Sequence, residues 1–266
     1  MVNWKEIDQN VREWIKEAGN RIRETFASTV HISTKSNRND LVTNVDRETE
    51  QFFAERIRKY YPDHKILGEE GFGDQIDSVD GVVWVIDPID GTMNFIHQKR
   101  NFMISIGIYY NGEGYLGYIY DVVHKELYFA EKGHGAYLND QKLLPLEETV
   151  LQDAVIGLNP TWVVENKKID HNLLIPIVKE ARGLRTYGCA ALEMVYVACG
   201  WLDAYITTRL SPWDFAGGKV IVEEVGGKVT TLSGKPLSIL ENSSVFASKP
   251  GLHKQILETY LKDYKD

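Results

Sequence analysis

The sequence predicts a layered α+β or α/β protein with sheets sandwiched between helices, and three features of the chain predict it. Apolar residues recur at helical spacing near the start, and short apolar strands with polar turns fill the middle. Beyond about residue 150, strands alternate with helices.

Taken in order, Trp4, Ile7, Val11, Trp14, Ile15, Ala18 and Ile22 mark a long amphipathic first helix. "TKSNRNDLVTNVD" (Thr34 to Asp46) reads as a polar turn and a short strand. A second helix is predicted over 48–60, with Phe52, Phe53, Ile57 and Tyr60 on one face and a stop at Pro62. "KILGEE" (Lys65 to Glu70) is a strand ending in two acids, and Val82 to Val85 is a buried strand running into "DPIDGT". Strands over 102–110, 115–120 and 126–130, with turns at "NGEG" and "VHKE", suggest an antiparallel meander. A strand over 153–158 is followed by helices over 164–182 and 190–199, then a strand over 202–207. The helix over 215–225 ends at Gly226 and Gly227, a pair suited to a C-terminal cap. Short strands at 228–232 and 244–247 precede a final helix over 252–261. No repeat or Pro/Gly/Ser-rich linker divides the chain, so residues 1–150 and 151–266 are expected to be two parts of one compact unit.

The composition, 43% hydrophobic and 26% charged, is that of a globular protein. A formal net charge of −8 with no basic run speaks against a nucleic-acid partner. A phosphorylated ligand would then need local positive charge, from a few basic residues or from bound cations. Cys189 and Cys199 lie in an apolar segment and read as small core residues of a reducing compartment rather than a disulfide or metal pair. The start lacks a secretory pattern, and no apolar run approaches the ~18 residues of a membrane span. The expectation is a cytoplasmic protein without a membrane partner.

Acids gather where strands end or helices begin: Asp46, Glu69 with Glu70, Asp87 with Asp90, and Asp214 in "SPWDFAGG". Singly, each is also what a turn, a helix cap or a solvated pair contains. Together they make an oxygen-rich set suited to magnesium, and no His/Cys cluster nearby suggests zinc. Asp87 and Asp90 are three apart, whereas haloacid-dehalogenase phosphatases place their acids two apart on one side of an extended segment. An EF-hand counted from Asp87 would need a glutamate where Gln98 stands. His97, His124 and His134 have no partner at ligand spacing, and Trp84 and Trp213 read as packing residues.

"GEE" (Gly68 to Glu70), "WVIDPIDGTMNF" (Trp84 to Phe95) and "WDFAGG" (Trp213 to Gly218) resemble the three signatures of the inositol monophosphatase family, magnesium-dependent and lithium-sensitive phosphatases. The resemblance extends through "KSNRNDLVTNVD" and "GCAALE" and covers most of the chain. It implies an αβαβα sandwich of the inositol monophosphatase and fructose-1,6-bisphosphatase type, with most metal ligands in the N-terminal part. It also implies two or three Mg²⁺ ions, a small phosphorylated metabolite as substrate, and a homodimer. Matching residue by residue, Glu69, Asp87, the carbonyl of Ile89, Asp90 and Asp214 would hold metal, and Asp46 would sit near a third, weaker site. Glu69 and the Thr92 hydroxyl would orient the attacking water. Asp90, Gly91, Thr92 and Asp214 would border the substrate, and Arg185, Tyr187, Gly188, Cys189 and Ala190 match a segment lining its pocket.

One departure stands out. Where animal relatives carry a glutamate that receives substrate hydroxyls, this chain has Thr207, with Arg209 close behind. Arg209 could meet a second phosphate or be an ordinary surface arginine, and Arg185 could be a structural ion-pair partner. The resemblance therefore implies an inositol-1-monophosphatase. NADP, fructose 1,6-bisphosphate and 3′-phosphoadenosine 5′-phosphate are alternative substrates, and a catalytically silent metal-binding protein is the reading from a different class.

Overall fold

Five layers, helix–sheet–helix–sheet–helix, make up the computed structural model, which describes residues 2–27, 31–34 and 41–265. The outermost layer holds α1 (Trp4–Glu24) and α2 (Asn44–Tyr60). They cover one face of a seven-stranded sheet built from β3 (Lys65–Gly68), β4 (Val82–Asp90), β5 (Met103–Tyr110), β6 (Glu113–Asp121), β7 (Glu126–Glu131), β8 (Gly135–Leu138) and β9 (Gln141–Lys142), side by side in that order. β3 and β4 are parallel and the rest antiparallel, so the expected meander is present with one more hairpin at its end. A small hairpin, β1 (Ile32–Thr34) with β2 (Leu41–Thr43), precedes α2, and residues 35–40 of the predicted polar turn lie outside the described residues. A short helix, α3 (Thr92–Gln98), follows β4 directly.

The C-terminal part supplies the other layers. β10 (Val155–Leu158), β11 (Gly183–Arg185), β12 (Ala204–Leu210), β13 (Lys228–Thr230) and β14 (Ser243–Ser248) form a five-stranded sheet in the order β11-β10-β12-β14-β13. α5 (Ala190–Ala198) and α6 (Pro212–Glu224) lie between the two sheets. α4 (Ile175–Glu180) and α7 (Leu252–Thr259) cover the outer face. No helix among the described residues is long and apolar enough to cross a membrane.

β4 shows why its sequence is a nearly continuous apolar run. All nine of its residues are buried, because both faces are covered. Val82, Trp84 and Ile86 face α1 and α2, while Val83 and Val85 face α5 and α6. Each such side chain contributes roughly 1.5–3 kcal/mol when fully buried. Trp84 is packing, as expected, with its indole N–H donating to His64 Nδ1 at 3.0 Å. The glycines of "WDFAGG" let α6 lie directly on the large sheet. A Cβ on Gly117 of β6 would come within 2.4 Å of the Gly217 carbonyl, and one on Gly218 within 2.8 Å of Met194 Cβ in α5.

Two helices begin earlier than predicted, for the same reason. Thr43 caps α2 and Ser211 caps α6, each receiving a third-position aspartate, Asp46 or Asp214, back onto its own N–H. Asp46 is thus the third residue of a capping box and not itself the cap. The helix expected over 164–182 reduces to α4 and a 3-10 turn at His171–Leu173. Asn166 accepts from the N–H groups of Lys168 and Ile169, and Asp170 from that of Asn172. Those side-chain bonds satisfy the backbone in place of helix. Pro176 then sits in the first turn of α4, where its missing N–H costs nothing.

Candidate active site

Where β4 ends, its ladder with β5 is shifted between Asp87 and Asp90, and this irregularity turns the two acids toward one place. Asp214, in the first turn of α6, arrives from the central helical layer. One carboxylate oxygen from each of Asp87, Asp90 and Asp214 lies within 4.8 Å of the others. Asp87 is 1% and Asp90 8% exposed. Each carboxylate is also pinned by backbone: Ile89 N–H donates to Asp87 at 2.9 Å, Ala191 N–H to Asp90 at 2.5 Å and Ser211 N–H to Asp214 at 2.7 Å. The Cys189 thiol adds a 3.2 Å contact to Asp90.

Glu69, at the end of β3, stands close enough to hydrogen-bond Asp87 and to disfavour charge on Asp46, Asp90 and Asp214. Burial, reinforced by Glu69, Asp90 and Asp214, holds Asp87 well above the usual carboxylate range. Burial also raises Asp214 well above that range, with Asp90 and Glu69 adding to it. Asp90 is raised to about 6, burial outweighing the Ala191 N–H and the Cys189 thiol that favour its anion. So many acids held against their own repulsion are explained by cations between them. The donor set is all oxygen, with no imidazole in the three-residue group, which fits magnesium.

Thr92 opens α3 beside this cluster. Its hydroxyl lies 3.1 Å from Asp46 Oδ1 and 3.1 Å from the Ile89 carbonyl. Asp46 Oδ2 accepts the Thr43 N–H at 3.0 Å and the Thr43 hydroxyl, and burial raises the Asp46 carboxyl. Gly91 adopts φ 89°, and a Cβ there would lie 3.1 Å from the Asn101 carbonyl and from Cys189 Cβ. The bend that delivers Thr92 therefore requires glycine.

A cavity of about 240 Å³ opens against Asp90 and Asp214, and Gly188, Cys189, Ala190 and Thr207 line it. Tyr187 borders this segment through its backbone: its carbonyl accepts from the Asn94 amide at 2.7 Å and its N–H donates to Glu193 at 2.9 Å. Two other predicted residues are not brought there. Arg185 is exposed, its guanidinium donating to the Leu184 carbonyl, and Arg209 lines a different cavity. Cys189 and Cys199 are free thiols. His97 and His134 are exposed, and His124 pairs with Asp121.

Sequence reasoning missed Glu50 and Glu193. Glu50, fully buried, accepts the N–H groups of Glu70 and Phe72 at 2.6 and 2.8 Å and so holds the loop that carries Glu69. Its signal was there: Asp46, Glu50, Phe53 and Ile57 share one helical face, an odd place for a second acid. Glu193 is an acid in the otherwise apolar α5 and is raised to about 7 by burial, against the opposing pull of the Tyr187 and Gly188 N–H groups.

A buried oxygen cluster suited to divalent cations, a hydroxyl braced by a carboxylate, and an adjoining small-molecule cavity define a metal-dependent phosphomonoesterase. The chain belongs to the inositol monophosphatase family, whose model matches residues 3–264. It is 59% identical over 261 residues, 98% of each chain, to the inositol-1-monophosphatase of Bacillus subtilis (strain 168). Among solved structures it resembles SaIMPase-II with inositol monophosphate bound, at TM-score 0.88 and 44% identity over 97% of this chain and 95% of that one. It also resembles the 2′AMP-bound form of SaIMPase-II, at TM-score 0.89 and 45% identity over 98% and 95%. The chain is accordingly a phosphoric monoester hydrolase, and its αβαβα layering is that of its relatives.

Proposed function

We propose that this enzyme hydrolyses inositol monophosphate with two or three Mg²⁺ ions held by Glu69, Asp87, the Ile89 carbonyl, Asp90 and Asp214. The observation that carries the reading is the cavity of about 240 Å³ that shares Asp90 and Asp214 with the carboxylate cluster, so a phosphate ester in it meets the acids end-on. Bound divalent cations supply neutralisation of the phosphoryl oxygens and acidify water. Thr92, braced by Asp46, orients the attacking water and passes its proton to the carboxylate. Glu69 flanks the same water. Asp90 and Asp214 lie on the cavity side, next to the leaving oxygen. Gly188 to Ala190 and Thr207 face the alcohol portion. A homodimer in the cytoplasm completes the proposal, by analogy with relatives.

A second reading is favoured by two observations. Thr207 offers the alcohol a neutral hydroxyl, and a relative at 45% identity binds 2′AMP, the phosphorylated ribose fragment of NADP. Phosphate release from inositol 1-phosphate, NADP, fructose 1,6-bisphosphate and 3′-phosphoadenosine 5′-phosphate, with and without lithium, separates the readings. Inositol 1-phosphate should have the highest kcat/KM, and Thr207→Glu should raise it further. A higher value for NADP would reassign the substrate.

A further inference from the structure

We propose a second phosphoryl-binding site on the outer side of the five-stranded sheet, centred on Thr208, Ser243 and Arg209 and separate from the catalytic cavity. Successive residues of β12 divide between two cavities. Thr207 lines the catalytic one, whereas Thr208 and Arg209 line another of about 450 Å³. The division arises where the β12–β14 register shifts between Thr207 and Leu210, with Ser243 paired to Leu210 just beyond.

Two buried hydroxyls in this cavity, Thr208 Oγ1 and Ser243 Oγ, have no hydrogen-bond partner among the described residues. Thr208 is 8% exposed. A buried polar group left unpaired costs roughly 1–3 kcal/mol, so two on one wall imply an acceptor that arrives from outside. The charge around them says which sign it carries. Among the described residues, Lys168, Arg209 and Lys265 line the cavity with one carboxylate, Glu241, in a chain of net charge −8. Arg209 and Lys168 have no carboxylate partner among the described residues. Two hydroxyl donors and a guanidinium fork suit a tetrahedral oxyanion with several acceptor oxygens. The volume exceeds what orthophosphate needs and lies within the range of small-ligand pockets. The ligand class is therefore a phosphorylated metabolite of about sugar-phosphate size, its phosphoryl group on Thr208, Ser243 and Arg209.

The test is calorimetric titration of the full-length, metal-free protein with orthophosphate and with glucose 6-phosphate. Without cations the carboxylate cluster repels anions, so the catalytic cavity contributes no signal. Saturable binding is expected, weakened about tenfold by Arg209→Gln, a loss of one charge-assisted hydrogen bond, and at least severalfold by Thr208→Val. Arg209 is exposed, so its variant keeps the fold, which an unchanged unfolding midpoint verifies. Tighter binding of the ester than of orthophosphate assigns the rest of the cavity to the sugar, and equal binding assigns recognition to the phosphoryl group alone. Absence of saturable binding, or equal affinity in wild type and both variants, would overturn the site.

Discussion

Replacing Asp87 by Asn should make the metal-free protein more stable while abolishing its response to magnesium. Asp87 is 1% exposed, and its nearest oxygen lies within 4.8 Å of oxygens of Asp90 and Asp214. At that separation and an effective dielectric constant near 20, two unit charges repel by roughly 3 kcal/mol, and partial protonation of the cluster relieves some of it. The amide keeps the shape, and its Oδ1 still accepts the Ile89 N–H. A net gain of about 1–2 kcal/mol is expected, or a rise of about 3–6 °C in Tm for a chain of this size. The assay is thermal unfolding in chelator and then in increasing Mg²⁺. Wild type should gain about 2.7 kcal/mol at a hundredfold excess over its dissociation constant, and Asp87→Asn almost none. If metal-free Asp87→Asn is no more stable than wild type, or responds to Mg²⁺ as wild type does, the cluster is not a cation site held against its own repulsion.

Three further outcomes follow from the packing. Gly117→Ala drives a methyl into the Gly217 carbonyl, at 2.4 Å, and should cost about 1–3 kcal/mol, seen as a fall in the urea midpoint. Glu50→Ala releases the Glu70 and Phe72 N–H groups, so Mg²⁺ affinity and kcat/KM should fall at least tenfold in titrations and rate assays; unchanged values would remove Glu50 as a positioning residue for Glu69. His253, stacked on Phe246 at 4.7 Å, is lowered to about 4 by burial and by Lys228. The unfolded imidazole titrates near 6.5, so below that pH the unfolded chain takes up the proton first. The His253 contribution is complete above about 6.5 and is lost as pH falls toward 4. For a half-buried ring, solvent screening limits it to about 1–2 kcal/mol. Urea midpoints at pH 7.5 and 5 should converge between wild type and His253→Phe as the pH falls, and a constant gap would contradict the assignment.

Much of the architecture was legible because its signals are local. The 3.6-residue periodicity of α1, the apolar run of β4 and the meander that follows need no distant partner to be read. The layering agrees with the fold of the family. The early starts of α2 and α6 were missed because Asp46 and Asp214 read as first residues of a helix or its cap, when each is the third residue of a capping box. The helix over 164–182 failed because apolar spacing was weighed without the Asn166 and Asp170 side chains, which bond the backbone themselves. In the site, Asp87, Asp90 and Asp214 carry strong sequence signatures, whereas Glu50 is marked in the sequence only by its place on the helical face of Phe53 and Ile57, a weak signal that its complete burial makes plain. Arg209 illustrates the limit from the other side. Regular alternation would put Arg209 on the same face as Thr207, but the β12–β14 register shifts between Thr207 and Leu210, and that irregularity, invisible in the sequence, sends Arg209 to a different cavity.

The most direct test of the central claim is phosphate release from inositol 1-phosphate by wild type and Asp90→Asn across a Mg²⁺ titration, with unfolding midpoints recorded alongside. Catalysis through the carboxylate cluster predicts no turnover in chelator, saturable activation by Mg²⁺, and a loss of at least about a thousandfold in a folded Asp90→Asn protein. Turnover that persists in chelator, or survives in Asp90→Asn, would place the chemistry elsewhere.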